Sequence, residues 1–220
     1  MKNNLKTQPL ITYLLIVIML GYFIVMTLAG GTENNHILIN FGAEYGPLID
    51  EGQLWRLVTP IFIHIGYQHL ILNLIVLYFL GRIIEHYFGH WRYLIIFLVS
   101  GIVGNLMSFA FETGISAGSS ASIFGLFGAF FVLHLKLKDN SFIQNNTKTF
   151  LMFIILNFIF DLFMPSISLI GHLGGLIGGF LISQVIGIKG FKTLNKKGII
   201  FYANALIIVI IGLYLIGLSR

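Results

Sequence analysis

Ser120 and His172 are the residues of this chain whose types and placement could supply a nucleophile and its base. Each lies in a glycine-rich hydrophobic stretch. Ser120 falls in Gly118-Ser119-Ser120-Ala121-Ser122-Ile123-Phe124-Gly125, and His172 in Gly171-His172-Leu173-Gly174-Gly175-Leu176-Ile177-Gly178-Gly179. A serine hydroxyl is a weak nucleophile until a base takes its proton, and neutral imidazole is the usual base. Acyl transfer also needs hydrogen-bond donors for the oxyanion. His69 and Asn73, four residues apart, share one helix face and can each offer a donor. The backbone N–H of Ser120, at a helix start, is a third, because first-turn amides lack intrahelical partners.

Taken one at a time, these residues have plainer readings. A single serine in an apolar helix is usually packing material or bonds back to its own helix, and Ser119 and Ser122 are read that way. A single histidine in such a segment can be a proton relay or a structural hydrogen bond. His36, His86, His90 and His134 read as loop or interfacial residues. Asn157 and Asp161 read as helix–helix or interfacial groups without a chemical role. The weight lies in the combination of serine, histidine and donors at matching depth.

Two stripes of small residues would bring Ser120 and His172 together. Ala121, Gly125 and Ala129 recur every four residues, as do Gly171, Gly175 and Gly179. Such stripes let membrane helices approach closely, and each reactive residue sits one position from its stripe, at the same end.

The surroundings are a membrane. The chain is 57% hydrophobic and 10% charged, with a mean hydropathy of +0.92, against about 25% charge in a soluble domain. It has no cysteine, which excludes a disulfide framework and thiol chemistry. Seven apolar spans are expected, at roughly 9–29, 68–88, 92–112, 119–137, 149–164, 171–188 and 199–218, the fifth and sixth being short. The first is too long for a signal-peptide core and has no clear cleavage motif.

The net charge of +5 reports orientation, not nucleic-acid binding. Lys2, Lys6, Arg82, Arg92, Lys136, Lys138, Lys148, Lys189, Lys192, Lys196 and Lys197 fall on one side of a seven-span chain. Glu33, Glu44, Asp50, Glu51 and Glu112 collect on the other, with Arg56 and Arg220. The positive side faces the cytoplasm, so the N-terminus is expected inside and Ser120 and His172 toward the outer leaflet of a plasma membrane. The organisation reads as an N-terminal tail and first helix (1–30), a long outer loop (31–67), the rest of the core (68–188), and a loop with a seventh helix (189–220). The long loop carries Trp55, suited to an interface.

In order and spacing these elements resemble the rhomboid intramembrane serine proteases across roughly 50–188. The matching residues are Trp55-Arg56, then His64, His69 and Asn73 in HIGYQHLILN, then Gly81, Arg82 and Glu85 in GRIIE, the serine motif at 118–125, and HLGGLIGG at 172–179. The resemblance implies an all-α polytopic fold, a six-helix bundle with one additional C-terminal transmembrane helix. It implies Ser120 as nucleophile, His172 as base, His69 and Asn73 as oxyanion donors, and Phe124 as the ring packed on His172. Gly118 and His64 match supporting positions, while Arg56 and Glu85 match positions that stabilise the first loop and its contacts. The implied partners are transmembrane protein substrates and the lipid bilayer, with no cofactor and no metal.

Ala121 departs from the glycine that usually follows the serine. It is expected to part the fourth and sixth helices slightly or to alter the backbone beside Ser120. Two other functions were weighed: a catalytically inactive relative that binds membrane proteins, and a solute or proton transporter. The absence of an internal repeat and the clustering of polar residues toward one leaflet argue against the transporter.

Overall fold

The computed structural model describes residues 8–163, 168–191 and 194–220; Lys2, Lys6 and Lys192 lie outside them. Within a bilayer every backbone N–H and C=O must be satisfied by the chain itself, which turns long apolar runs into helices. Among the described residues seven long helices result: α1 Leu10–Leu28, α2 Gly66–Phe88, α3 His90–Phe111, α4 Ser120–Lys136, α5 Ser141–Phe163, α6 Leu169–Ile186 and α7 Lys196–Leu218. Six are long and apolar enough to cross a membrane; α4 has only 17 residues. At 1.5 Å per residue it spans about 26 Å, short of a hydrocarbon core of about 30 Å.

The fifth helix starts well before the expected 149. The polar run Gln144-Asn145-Asn146-Thr147-Lys148 concealed it. Three of those side chains find local partners: Thr147 Oγ1 donates to the Ile143 carbonyl, Asn146 Nδ2 to that of Phe142, and Gln144 Nε2 to the carbonyls of His134 and Leu137. The sixth helix also starts earlier, at Leu169, because Ser168 caps it by accepting from the Gly171 N–H at 2.7 Å.

Helices α3, α4 and α6 form the tightly packed centre. A Cβ on Gly175 would lie 2.0 Å from the Ala121 carbonyl oxygen, and one on Gly179 would lie 2.1 Å from that of Gly125. Backbone therefore meets backbone along the two stripes. The third member, α3, was not foreseen. Its Gly104 lies against Ala121 and the Gly171 carbonyl, and its Val103 packs on Gly178. The periphery is looser: α5 buries only Ile143, Ile154 and Asp161, and α7 only Leu206, Leu213 and Gly217.

The long connection before α2 is folded. It holds the short helices Asn35–Asn40 and Gly46–Asp50 and two 3-10 turns, Leu54–Leu57 and Thr59–Phe62. The two-residue strand Glu44–Tyr45 pairs antiparallel with Ile115–Ser116, just ahead of Ser120. This ladder is the one departure from an all-α fold among the described residues. Arg56 holds the connection together, donating to the carbonyls of Ile39 and Ala43 and to Gln53 Oε1. Trp55 stays half-exposed on the outside of its turn.

Glu85 does something other than brace that loop. It accepts from the backbone N–H groups of Ile11 and Thr12 and from Thr12 Oγ1, and it pairs with His90 Nδ1. A carboxylate here satisfies two first-turn amides of α1 and complements its dipole. The GRIIE match did not reveal this, because the partner lies 73 residues away.

Glu44 is 3% exposed, and its Oε2 has no hydrogen-bond partner among the described residues. Burial, aided by Glu112 and opposed by Arg220, pushes its carboxyl up to about 8. Between about pH 4.5 and 8 the unfolded chain has lost this proton while the folded one retains it, so stability falls as pH rises through that window. Glu44→Gln is expected to remove this part of the slope. Melting temperatures in detergent from pH 5 to 8.5 should fall less for the variant, by a few degrees; parallel curves would show that Glu44 ionises freely.

Candidate functional site

The serine segment is held by the first connection. Gly118 donates its N–H to the Pro60 carbonyl at 3.0 Å, and Ser119 Oγ lies 3.2 Å from His64 Nε2. Both His64 and Ser119 are buried. Burial, with the neighbouring His69, holds His64 down to about 3, so it is neutral at physiological pH and serves as a hydrogen-bonding strut. The reading of Ser119 as filler therefore missed its link to His64; only the fold brings positions 64 and 119 together.

Gly118 has a φ of +144°, and a Cβ there would lie 2.5 Å from the His69 ring. The glycine thus serves a backbone conformation that side chains disfavour and a close approach of His69. Ser120 is the first residue of α4, half-buried, with Ser119 in the capping position.

His172 sits in the first turn of α6, 4% exposed. Its ring stacks on Phe124 with centroids 4.3 Å apart and planes 12° from parallel. Its Nδ1 lies 2.6 Å from Asp161 Oδ2, and its Nε2 is buried without a partner among the described residues. Ser120 and His172 line the same cavities but are not hydrogen-bonded to each other. Such bonds are often long before substrate arrives.

Two cavities meet at Ser120, His69 and His172, which line both. One, of about 30 Å³, is polar, with Asn105, Ser108, Ser116 and Ser168 in its wall. Its size suits a single water or so. The other, of about 120 Å³, is mostly apolar and opens between α2 and α5, past Leu72, Val76, Phe127, Phe153 and Phe160. Asn73 lines this second cavity, but its Nδ2 now donates to the His69 carbonyl at 2.9 Å. That bond engages one of the two amide N–H donors and leaves the other free. Gly125, Gly171, Gly175 and Gly179 surround the site as packing positions, although Gly171 faces Ser168 and Ser108 and not α4.

The methyl group of Ala121 does not separate α4 from α6. It lies against Gly104 of α3, where an added Cβ would come within 2.4 Å of it, while the Ala121 backbone keeps its contact with Gly175. Ala121→Gly is therefore expected to leave turnover within about threefold. It should cost about 1 kcal/mol of stability through a small void and a weaker helix. A cleavage assay and a thermal melt on the variant check both; a tenfold gain in turnover would mean that the methyl does distort the site.

The rhomboid domain matches residues 51–189. The chain is 36% identical over 212 residues to rhomboid protease GluP of Bacillus subtilis (strain 168), covering 96% of this chain and 41% of that protein. It is 33% identical over 168 residues to rhomboid-like protease 1 of Toxoplasma gondii, covering 74% of this chain and 56% of that one. A third, RHOMBOID-like protein 5 of Arabidopsis thaliana, is 34% identical over 155 residues, 68% of this chain and 49% of the relative. The chain thus spans about half the length of these curated relatives.

Proposed function

From a chain that belongs to the rhomboid family, we propose an intramembrane serine protease that cleaves peptide bonds in or beside transmembrane segments. The observation that carries this reading is the position of Ser120 and His172 where a small polar cavity meets an apolar one that opens between helices. A substrate segment reaches Ser120 from the lipid side. Water reaches it from the polar side.

His172 Nε2 takes the Ser120 proton as Oγ attacks the scissile carbonyl. The tetrahedral oxyanion is held by the Ser120 N–H, His69 and the Asn73 amide. His172 then returns the proton to the leaving amine, giving an acyl-enzyme. A water from the polar cavity, deprotonated by the same imidazole, resolves it. The stacked Phe124 keeps the imidazole in one plane through these transfers. The loop charges support a reading with the N-terminus inside and this chemistry toward the outer leaflet, as in a plasma membrane.

A helical substrate has its carbonyls tied up in hydrogen bonds and must unwind locally before attack. The test is purified protein in liposomes with single-span substrates that carry or lack Gly or Pro near the outer face. Product masses should report cleavage near those residues, several-fold faster than in the uninterrupted helix. Folded wild-type protein that cleaved none of several such substrates would point instead to a non-catalytic binding protein.

A further inference from the structure

We propose that a groove at the end of the bundle away from Ser120 binds an anionic phospholipid, its phosphate held by Arg82, His86 and Tyr87. The groove lies between the start of α1 at Pro9, the last turns of α2 and the start of α5 at Phe142. Arg82 is about 20 Å along α2 from His69. The groove has a volume of about 450 Å³, the size of a ligand cleft.

Its polar lining suits a phosphate. Among the described residues that line it, each polar side chain can donate a hydrogen bond and none is a carboxylate. Arg82 and His86 are one turn apart and share a helix face. The Tyr78 ring lies under the Arg82 guanidinium, 4.8 Å from its centroid. Glu85, the acid between Arg82 and His86 in sequence, is turned away and engaged by Ile11, Thr12 and His90. Tyr87 Oη accepts from Asn140 Nδ2 at 3.0 Å, which leaves its own proton to donate. Lys189, whose N–H donates to the Tyr87 carbonyl, brings a further cation to this end.

The apolar lining selects a lipid over a free phosphate. Phe79 and Phe142 line the groove and are 64% and 47% exposed. Phe79 lies one turn nearer the middle of α2 than Arg82, on the π-helical turn Leu77–Gly81, a feature frequent at functional sites. The order along α2, an apolar ring and then the donors, is the order of chain and headgroup in a phospholipid. Arginine binds phosphate through paired hydrogen bonds, and basic pockets between membrane helices take anionic headgroups. A lipid seated here ties α2 to the start of α5, which buries little of its own surface.

The test titrates the purified full chain in zwitterionic detergent with phosphatidylglycerol, with phosphatidylcholine of the same chains, and with inorganic phosphate. Thermal melting and native mass spectrometry read the binding. Phosphatidylglycerol is expected to raise the melting temperature by about 5 °C, phosphatidylcholine by less than about a third of that, and phosphate by less than about 1 °C. Arg82→Gln combined with His86→Gln should weaken phosphatidylglycerol binding at least about tenfold, with the lipid-free melting temperature within about 2 °C of wild type. Lys197→Gln removes one charge from the exposed start of α7 and should bind as wild type does. Should the double variant fail to fold, His86→Glu, which sets a carboxylate one turn from Arg82, decides by the same loss of about tenfold. Equal shifts from the two lipids would overturn the proposal, as would a shift from phosphate as large as the lipid's. So would wild-type affinity in the groove variants, or an equal loss in Lys197→Gln.

Discussion

Ser120→Ala is expected to abolish cleavage, by at least about 1,000-fold, with no loss of folded protein. The hydroxyl is half-buried at the first position of α4, and no hydrogen bond in the described structure depends on its Oγ. Its removal should leave the melting temperature within about 2 °C. His172→Ala is expected to reduce turnover as far if, as proposed, it removes the base for Ser120. It should also cost stability, since the ring fills the space between Phe124 and Asp161. On the proposed mechanism the two losses will not add, because a nucleophile and its base act as a unit, and the double variant should be no slower than either single one. Initial rates on one transmembrane substrate, with melts on the same preparations, distinguish this from a scaffold in which serine and histidine are bystanders.

Gly175→Ala should have the largest effect on the fold itself. The added Cβ would sit 2.0 Å from the Ala121 carbonyl oxygen and 2.6 Å from its carbon, both backbone atoms. No rotamer change relieves such a clash; α4 and α6 must part. Overpacking a core by one methyl typically costs about 1–3 kcal/mol, and a backbone contact in the tightest part of the bundle belongs at or above the top of that range. A fall of about 10 °C in melting temperature is expected, with activity lost because Ser120 and His172 separate. Gly212 is the control. A Cβ there meets nothing within 4 Å, so Gly212→Ala on α7 should match wild type in both measurements. Equal behaviour of the two variants would contradict the close packing of α4 on α6.

Much of this was legible in the amino-acid sequence because membrane physics leaves few choices. Runs of apolar residues must become helices, and small residues four apart on two of them favour a close neighbour. Those two facts alone bring positions 120 and 172 to the same end of one helix pair. The fifth helix was cut short because its polar first turns satisfy their side chains locally, which a hydropathy pattern does not register. The role of α3 was hidden because Gly101 and Gly104 are spaced by three and lie in a segment without chemistry. Glu85 was assigned to the wrong contact, since nothing in GRIIE identifies the α1 amides as its partners.

The contact of Asp161 with His172 was hidden for a related reason. It precedes His172 by eleven residues on a different helix, and only the return of the chain from α5 into α6 brings the two side chains to 2.6 Å. An acid within an apolar run was the one signal available beforehand. Helical periodicity could have shown that Ile154 and Asp161, seven residues apart, share the buried face of α5.

The central claim is that Ser120 is a nucleophile activated by His172, and the most direct measurement is covalent labelling with a fluorophosphonate probe. An activated serine attacks phosphorus and expels fluoride, leaving a stable adduct whose site mass spectrometry of the digested protein can read. The account predicts one adduct in wild type, on Ser120, absent in Ser120→Ala and at least about 100-fold slower to form in His172→Ala. An adduct on another serine, or labelling of Ser120 at the same rate without His172, would contradict it.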